Sequence, residues 1–250
     1  MRSRRPRTLW IVRHGQSAGN LARDRASAEK LGRIEIAQRD VEVPLSALGE
    51  EQSRALGQWF ADLPPGQRPQ AILTSPYVRA TETARIVHEV AGLPADVEIV
   101  IDERLREREF GILDRLTHRG IEEFFPDQAR ARRLVGKFYH RPPGGESWCD
   151  VILRLRGALD TLSLHHAEKR VLIVAHQVVV LCLRYLLENL DEARIMAIDA
   201  KGDVANCAVT EYAAAARAPA MRLVRYNFVA PLREAGAAVT RAPDANVAPR

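Results

Sequence analysis

Cysteine is scarce in this chain. Its 250 residues include only Cys149, Cys182 and Cys207, an odd number without C-x-x-C spacing. That excludes a disulfide framework and a zinc ribbon, and it marks the three as reduced thiols of the core. Long hydrophobic runs are missing as well. None approaches the roughly 18 residues of a transmembrane helix, and the longest, such as residues 171–175, are strand-sized. The basic N-terminus, MRSRRPR, leads into only a short apolar stretch at residues 8–12, where a secretory signal needs about 7 to 15. A cytoplasmic location is therefore expected. A sustained charge imbalance is also absent. The formal charge is +5, but Arg2, Arg4, Arg5 and Arg7 carry four of those charges, so the remainder is near neutral. No basic stripe interleaved with aromatics stands out, which argues against a nucleic-acid partner. The seven histidines are scattered, with no H-E-x-x-H, and a helix would splay apart the adjacent pair His165-His166. No metal site is expected.

What is present is the composition of a folded globular chain, 46% hydrophobic and 28% charged, long enough to build a core without covalent staples. Short apolar runs at 9–12, 71–73, 97–101 and 171–175 read as buried strands separated by helix-length segments. That is the βαβ rhythm of a parallel sheet. Helices are expected over 46–60, capped by Ser46, over 79–91, ended by Gly92, over 147–166 and over 178–187. In the third of these Val151, Leu155, Leu159 and Leu162 recur at helical spacing. Residues 206–212 and 221–226 read as late strands. The expected architecture is one three-layer α/β/α domain with a mostly parallel central sheet over residues 8–228. A flexible basic segment at 1–7 precedes it, and a disordered tail rich in alanine and proline follows at 229–250. There is no internal repeat, and nothing in the sequence sets an oligomeric state.

Three of the strands run into chemistry-bearing residues. The first leads into Arg13-His14-Gly15, the second into Thr74-Ser75-Pro76 and then Arg79, and a later one into His176. Parallel neighbours would bring these to one sheet edge, where open α/β sheets place their ligands. Guanidinium forks bind phosphate bidentately, and a neutral imidazole attacks phosphorus, so this set fits phosphoryl transfer through histidine. Gly15 suits a tight turn and also lets backbone N–H groups approach an anion.

These segments resemble the histidine phosphatase superfamily, also called phosphoglycerate mutase-like. Residues 12–20, VRHGQSAGN, match its signature R-H-G-[EQ]-[ST]-x-x-N, and residues 74–84, TSPYVRATETA, resemble its second block. Residues 44–49 (PLSALG), 105–111 (LREREFG) and 174–176 (VAH) resemble further blocks in order. The resemblance implies a phosphoglycerate mutase-like fold, with His14 as phosphoacceptor and Arg13, Asn20, Arg79 and His176 around the phosphoryl oxygens. It places the general acid at Glu107, where spacing alone does not separate Glu107 from Glu103 or Glu109. Cationic neighbours would favour neutral His14, and burial would raise the glutamate toward the pKa of a proton donor. Residues 139–150 (YHRPPGGESWCD) and the Gln177 that follows His176 resemble the fructose-2,6-bisphosphatase and broad-specificity phosphatase branch. The kinase half of the bifunctional enzymes is not matched, since no G-x-x-x-x-G-K-[ST] loop is present. Arg108, Tyr139 and Arg141 are candidates for holding a second acidic group of the substrate.

The implied activity is hydrolysis of a small phosphorylated metabolite through phosphohistidine, without metal or cofactor. The alternative is a phosphoglycerate mutase using the same intermediate, with 2,3-bisphosphoglycerate as cofactor; the proline-rich run of mutases is not found. Residues 15–19 also satisfy G-x-S-x-G, so Ser17 with His176 is an esterase alternative. Only one strand precedes that elbow, and no H-G-G-G segment supplies an oxyanion hole. A non-catalytic binding module would have no need of the nucleophile that the chain keeps.

Overall fold

The computed structural model describes residues 5–214 and 221–241. In chain order it contains β1 (Thr8–Arg13), α1 (Ala18–Ala28), α2 (Ala47–Asp62), β2 (Ala71–Thr74), α3 (Val78–Val90) and β3 (Ile99–Ile101). Then follow α4 (His118–Phe124), α5 (Pro126–Tyr139), α6 (Trp148–His165), β4 (Arg170–Ala175), α7 (Gln177–Leu187) and α8 (Glu192–Ala200). The order closes with β5 (Val209–Ala214), β6 (Met221–Phe228) and α9 (Ala230–Glu234).

Successive side chains of a strand leave on opposite faces, and here both faces are covered. Leu9 and Ile11 of β1, Leu73 of β2 and Ile173 of β4 pack with α6 and α7 through Leu155 and Val180. Trp10, Val12, Ile72 and Val174 face the other way, onto Leu56 and Phe60 of α2 and Val87 of α3. Two-sided burial is why these strands read as continuous apolar runs. Each buried aliphatic side chain contributes about 1.5–3 kcal/mol relative to exposure.

The six strands lie in the order β3-β2-β4-β1-β5-β6. The first four in chain order are mutually parallel, and β5 and β6 run antiparallel to their neighbours. Arg13 lies opposite Ala175, and Thr74 opposite Val174. The carboxyl ends of β1, β4 and β2 therefore finish side by side, as the strand-then-motif pattern predicts.

Local signals account for the helix starts. Ser46 Oγ accepts from the Gly49 N–H at 3.0 Å, and Ser147 and Asp150 form a reciprocal capping box at the start of α6. Several expectations need correction. The strand read over 97–101 is confined to an edge strand of three residues, and α4, α5 and α8 lie in segments read without helices. Within α5 the backbone kinks at Gly136, whose φ of 82° only glycine adopts readily.

The segment 1–7 was expected to be flexible and the segment 229–250 disordered. The Arg5 carbonyl accepts from Glu168 N–H at 2.9 Å, and Arg7 N–H donates to Lys169 O at 2.7 Å. Residues 5–7 thus prolong β1 alongside the segment that leads into β4. Residues 229–241 are also packed: α9 buries Leu232 against α2, and Gln52 Nε2 donates to the Ala238 carbonyl at 2.8 Å. One fully buried leucine and a side-chain clamp outweigh a composition poor in apolar bulk. Residues 1–4 and 242–250 lie outside the described residues.

Candidate active site

Pairing continues one residue beyond β1, because His14 N–H donates to Ala175 O at 2.9 Å. That bond carries His14 to the neighbourhood of His176, the N-cap of α7, with ring centroids 5.1 Å apart. His14 is 0% exposed. Its Nδ1 lies 2.6 Å from the Gly15 carbonyl oxygen. A carbonyl only accepts, so Nδ1 carries the proton and Nε2 bears the lone pair. On that side Arg79 Nε donates to Nε2 at 3.2 Å.

Arg79 comes from the first turn of α3 and is buried. Its guanidinium lies over the Tyr77 ring at 4.8 Å. Its outer nitrogens meet Asp40: Nη1 donates to the Asp40 carbonyl at 2.6 Å and lies 3.1 Å from Oδ1. Arg13, also buried, donates from Nη1 to the Val204 carbonyl at 2.6 Å. His176 Nε2 is 2.8 Å from Ser75 Oγ, and its ring lies 5.0 Å from that of Tyr77. Burial, with the Asp40 and Glu109 carboxylates nearby, pushes the Tyr77 phenol above its ordinary pKa.

Asn20 is buried beside these groups, and its Oδ1 accepts from Ser17 N–H at 2.9 Å and from Ser17 Oγ at 3.1 Å. The Ser17 hydroxyl also receives Asn20 N–H at 3.2 Å, completing the cap of α1. This corrects the esterase alternative. Ser17 is a capping residue, and the hydroxyl that meets His176 belongs to Ser75.

The idea that Gly15 opens backbone N–H groups to an anion is also corrected. The amides of Gly15, Gln16 and Ser17 donate to Thr83 Oγ1, Gln52 Oε1 and Asn20 Oδ1. Gly15 is needed for close approach instead, since a Cβ there would stand 2.4 Å from the Gly49 carbonyl oxygen of α2.

Burial separates the three glutamates that spacing left open. Glu103 and Glu109 are exposed, whereas Glu107 is 1% exposed and its Oε1 accepts from Arg108 N–H at 2.7 Å. Of the candidates for a second acidic group, only Arg108 is buried next to it. Arg141 is exposed and forked onto Asp150, which with Ser147 lowers the Asp150 carboxyl to about 2. Tyr139 is exposed and bonded to Glu192.

Sequence reasoning gave no role to Ser75, Tyr77, Asp40 or Asn206. The first two sit inside the quoted 74–84 block, so the block itself was their signal. Asn206, whose Nδ2 donates to His14 O at 3.0 Å, and Asp40 are brought in by tertiary folding from segments with no motif. Among the described residues no group of three His, Cys, Asp or Glu side chains is arranged to hold a metal ion. No helix among them is long and apolar enough to cross a membrane.

Residues 9–227 match the model of the histidine phosphatase superfamily (branch 1). A probable phosphoglycerate mutase GpmB of Yersinia enterocolitica is 30% identical over 177 residues, 70% of this chain and 72% of that protein. A 6-phosphofructo-2-kinase/fructose-2,6-bisphosphatase of Caenorhabditis elegans is 31% identical over 179 residues, 71% of this chain but 33% of that longer protein. Among solved structures, a mycobacterial glucosyl-3-phosphoglycerate phosphatase complexed with VO3 superposes with a TM-score of 0.68 at 26% identity, covering 89% of this chain and 99% of that one.

Proposed function

The chain belongs to branch 1 of the histidine phosphatase superfamily, and on that premise we propose that it hydrolyses a small phosphate monoester through a phosphohistidine at Nε2 of His14. The tautomer of His14 carries the proposal. With Nδ1–H held by the Gly15 carbonyl, the lone pair of Nε2 is aimed at the side where Arg79 waits. Arg13, Arg79, His176 and Asn20 gather the phosphoryl oxygens, their donors offsetting charge that grows on them in the transition state.

Nε2 bonds to phosphorus as the P–O ester bond breaks, and Glu107 gives its proton to the departing oxygen. The imidazolium charge that forms is stabilised by the Nδ1–H···O contact to Gly15. Glu107 then takes a proton from water, whose oxygen attacks phosphorus, breaking the P–N bond and releasing phosphate. A proton donor has to hold its proton near neutral pH, and removal from water favours that. Positive charge comes from arginine and imidazole groups, so the reading uses neither metal nor cofactor.

A mutase is the second reading, favoured by the similarity to probable phosphoglycerate mutases. It would return the phosphoryl group to another hydroxyl before water intervenes, with 2,3-bisphosphoglycerate as cofactor. The chain's free cysteines, Cys149, Cys182 and Cys207, fit a reducing cytoplasmic setting.

The test is a panel of phosphate esters that includes p-nitrophenyl phosphate, fructose 2,6-bisphosphate and 3-phosphoglycerate with bisphosphoglycerate, assayed with chelator present. Phosphate release supports hydrolysis. Isomer exchange without phosphate release makes the protein a mutase, and inactivity of folded protein in both assays overturns the phosphoryl-transfer reading.

A further inference from the structure

Behind the His14 turn, a chain of hydrogen bonds leads out to the C-terminal segment and back. Gln16 N–H donates to Gln52 Oε1 at 2.8 Å, and Gln52 Nε2 donates to Thr240 Oγ1 at 2.9 Å. Thr240 Oγ1 donates to Asn206 Oδ1 at 2.9 Å, and Asn206 Nδ2 donates to the His14 carbonyl at 3.0 Å. The bonds thus run from the backbone at residue 16 to the backbone at residue 14, all in one direction. Gln52 and Asn206 are fully buried, and Thr240 is half-buried.

The two ends settle every orientation between them, because a backbone N–H only donates and a carbonyl only accepts. Gln52 therefore turns Oε1 to Gln16 and Nε2 away, where it also meets the Ala238 carbonyl at 2.8 Å. Asn206 turns Nδ2 to His14, which leaves its Oδ1 in need of a donor. The Thr240 hydroxyl, receiving Gln52 on one side, supplies that donor on the other. Thr240 is itself held in place. Its carbonyl receives Asn206 N–H at 3.0 Å, and the preceding Val239 packs against the clusters on both faces of the sheet.

The turn held in this way is the one that orients the nucleophile. In a trans peptide the N–H and the C=O point opposite ways. With Gln16 N–H committed to Gln52, the carbonyl of the same peptide, that of Gly15, faces His14 Nδ1 at 2.6 Å. That contact keeps the proton on Nδ1 and the lone pair on Nε2. The preceding peptide is pinned as well, its carbonyl by Asn206 and its N–H by Thr83 Oγ1 at 3.0 Å.

We propose that Thr240 is a positioning residue for phosphoryl transfer: its hydroxyl closes the chain of bonds that sets the Gly15–Gln16 peptide against His14, so residues 238–240 belong to the scaffold of the active site. The inference rests on the proposed attack by His14 Nε2 and acts through Asn206 and Gln52. Thr240→Val keeps the shape of the side chain and leaves Asn206 Oδ1 without its donor, whereas Thr240→Ser keeps the hydroxyl.

In Thr240→Val, phosphohistidine formation, and with it kcat/KM for p-nitrophenyl phosphate, should fall about tenfold as the nucleophile loses its fixed aim. Competitive inhibition by inorganic phosphate should change less than about twofold, because the arginines that grip phosphate lie outside the chain of bonds. Thr240→Ser should restore most of the rate. With the histidine ring nitrogens isotope-labelled, nuclear magnetic resonance in alkaline buffer should show His14 Nε2 of the wild type as an unprotonated nitrogen. In Thr240→Val the two ring-nitrogen resonances should move toward one another as the tautomers mix.

An unchanged kcat/KM and an unchanged His14 tautomer in Thr240→Val overturn the positioning role. A rate loss that Thr240→Ser fails to rescue, or a lowered thermal midpoint with the tautomer unchanged, overturns it too. Wild-type protein that turns over no phosphate ester overturns the phosphatase reading instead, and the tautomer comparison, which needs no turnover, then decides the role of Thr240 by itself.

Discussion

Asp40 occupies the side of Arg79 on which a phosphoryl group has to compete. Its Oδ1 lies 3.1 Å from Arg79 Nη1, and its side chain is 41% exposed. At that separation two unit charges attract by about 1.3 kcal/mol in water and about 5 kcal/mol at an effective dielectric constant of 20. The exposure of Asp40 places the pair near the aqueous limit, where net contributions are about 0–1 kcal/mol. An incoming phosphoryl dianion displaces this pairing and also meets the carboxylate charge. Asp40→Asn removes the charge, while the backbone carbonyl that receives Arg79 Nη1 at 2.6 Å remains. About 1 kcal/mol is then recovered, so vanadate and inorganic phosphate should inhibit the variant about fivefold more tightly. Competitive inhibition of p-nitrophenyl phosphate hydrolysis measures this, and the advantage should shrink as added salt screens the carboxylate. Weaker oxyanion inhibition in Asp40→Asn would refute the competition, because it would mean that the carboxylate orients Arg79 for phosphate.

Glu107→Gln should slow alkyl phosphates about a hundredfold or more and aryl phosphates far less, since good leaving groups need little proton donation; equal slowing across a leaving-group series points to another acid. Gly15→Ala should destabilise the fold by about 1–3 kcal/mol, because its Cβ would stand 2.4 Å from the Gly49 carbonyl oxygen. A thermal midpoint equal to wild type would contradict that contact. Arg141→Ala should lower stability only slightly at pH 7, because Arg141 is exposed to solvent. The Asp150 carboxyl is lowered from 3.8 to about 2 by Arg141 and Ser147, so its stabilisation is present above about pH 4 and lost as pH falls toward 2. Urea unfolding across pH 2–7 should show the difference between the two proteins vanishing at the acid end; a constant difference would mean lost packing rather than charge.

What the sequence reveals follows from how local each determinant is. Strands buried on both faces announce themselves as apolar runs, and Ser46 and Ser147 mark helix starts through bonds made within three residues. Arg13, His14, Arg79 and His176 are legible because each follows a strand or opens a helix at a sheet edge that parallel pairing makes common. Glu107 is separated from Glu103 and Glu109 only by burial, a tertiary property. Tyr139 and Arg141 look as suitable in sequence as Arg108, yet the chain turns them outward to Glu192 and Asp150. The packed segment after β6 is not legible because few of its side chains are apolar, although Val229 and Leu232 reach the core.

Trapping the covalent intermediate tests the central claim most directly. Wild-type protein and His14→Ala would be mixed with phosphate-labelled substrate, quenched in base, which preserves phosphohistidine, and digested for peptide mapping. A base-stable, acid-labile label on the peptide containing His14, formed at least as fast as turnover and absent from His14→Ala together with activity, is the predicted result. Label on another residue, or turnover retained in His14→Ala, would contradict the account.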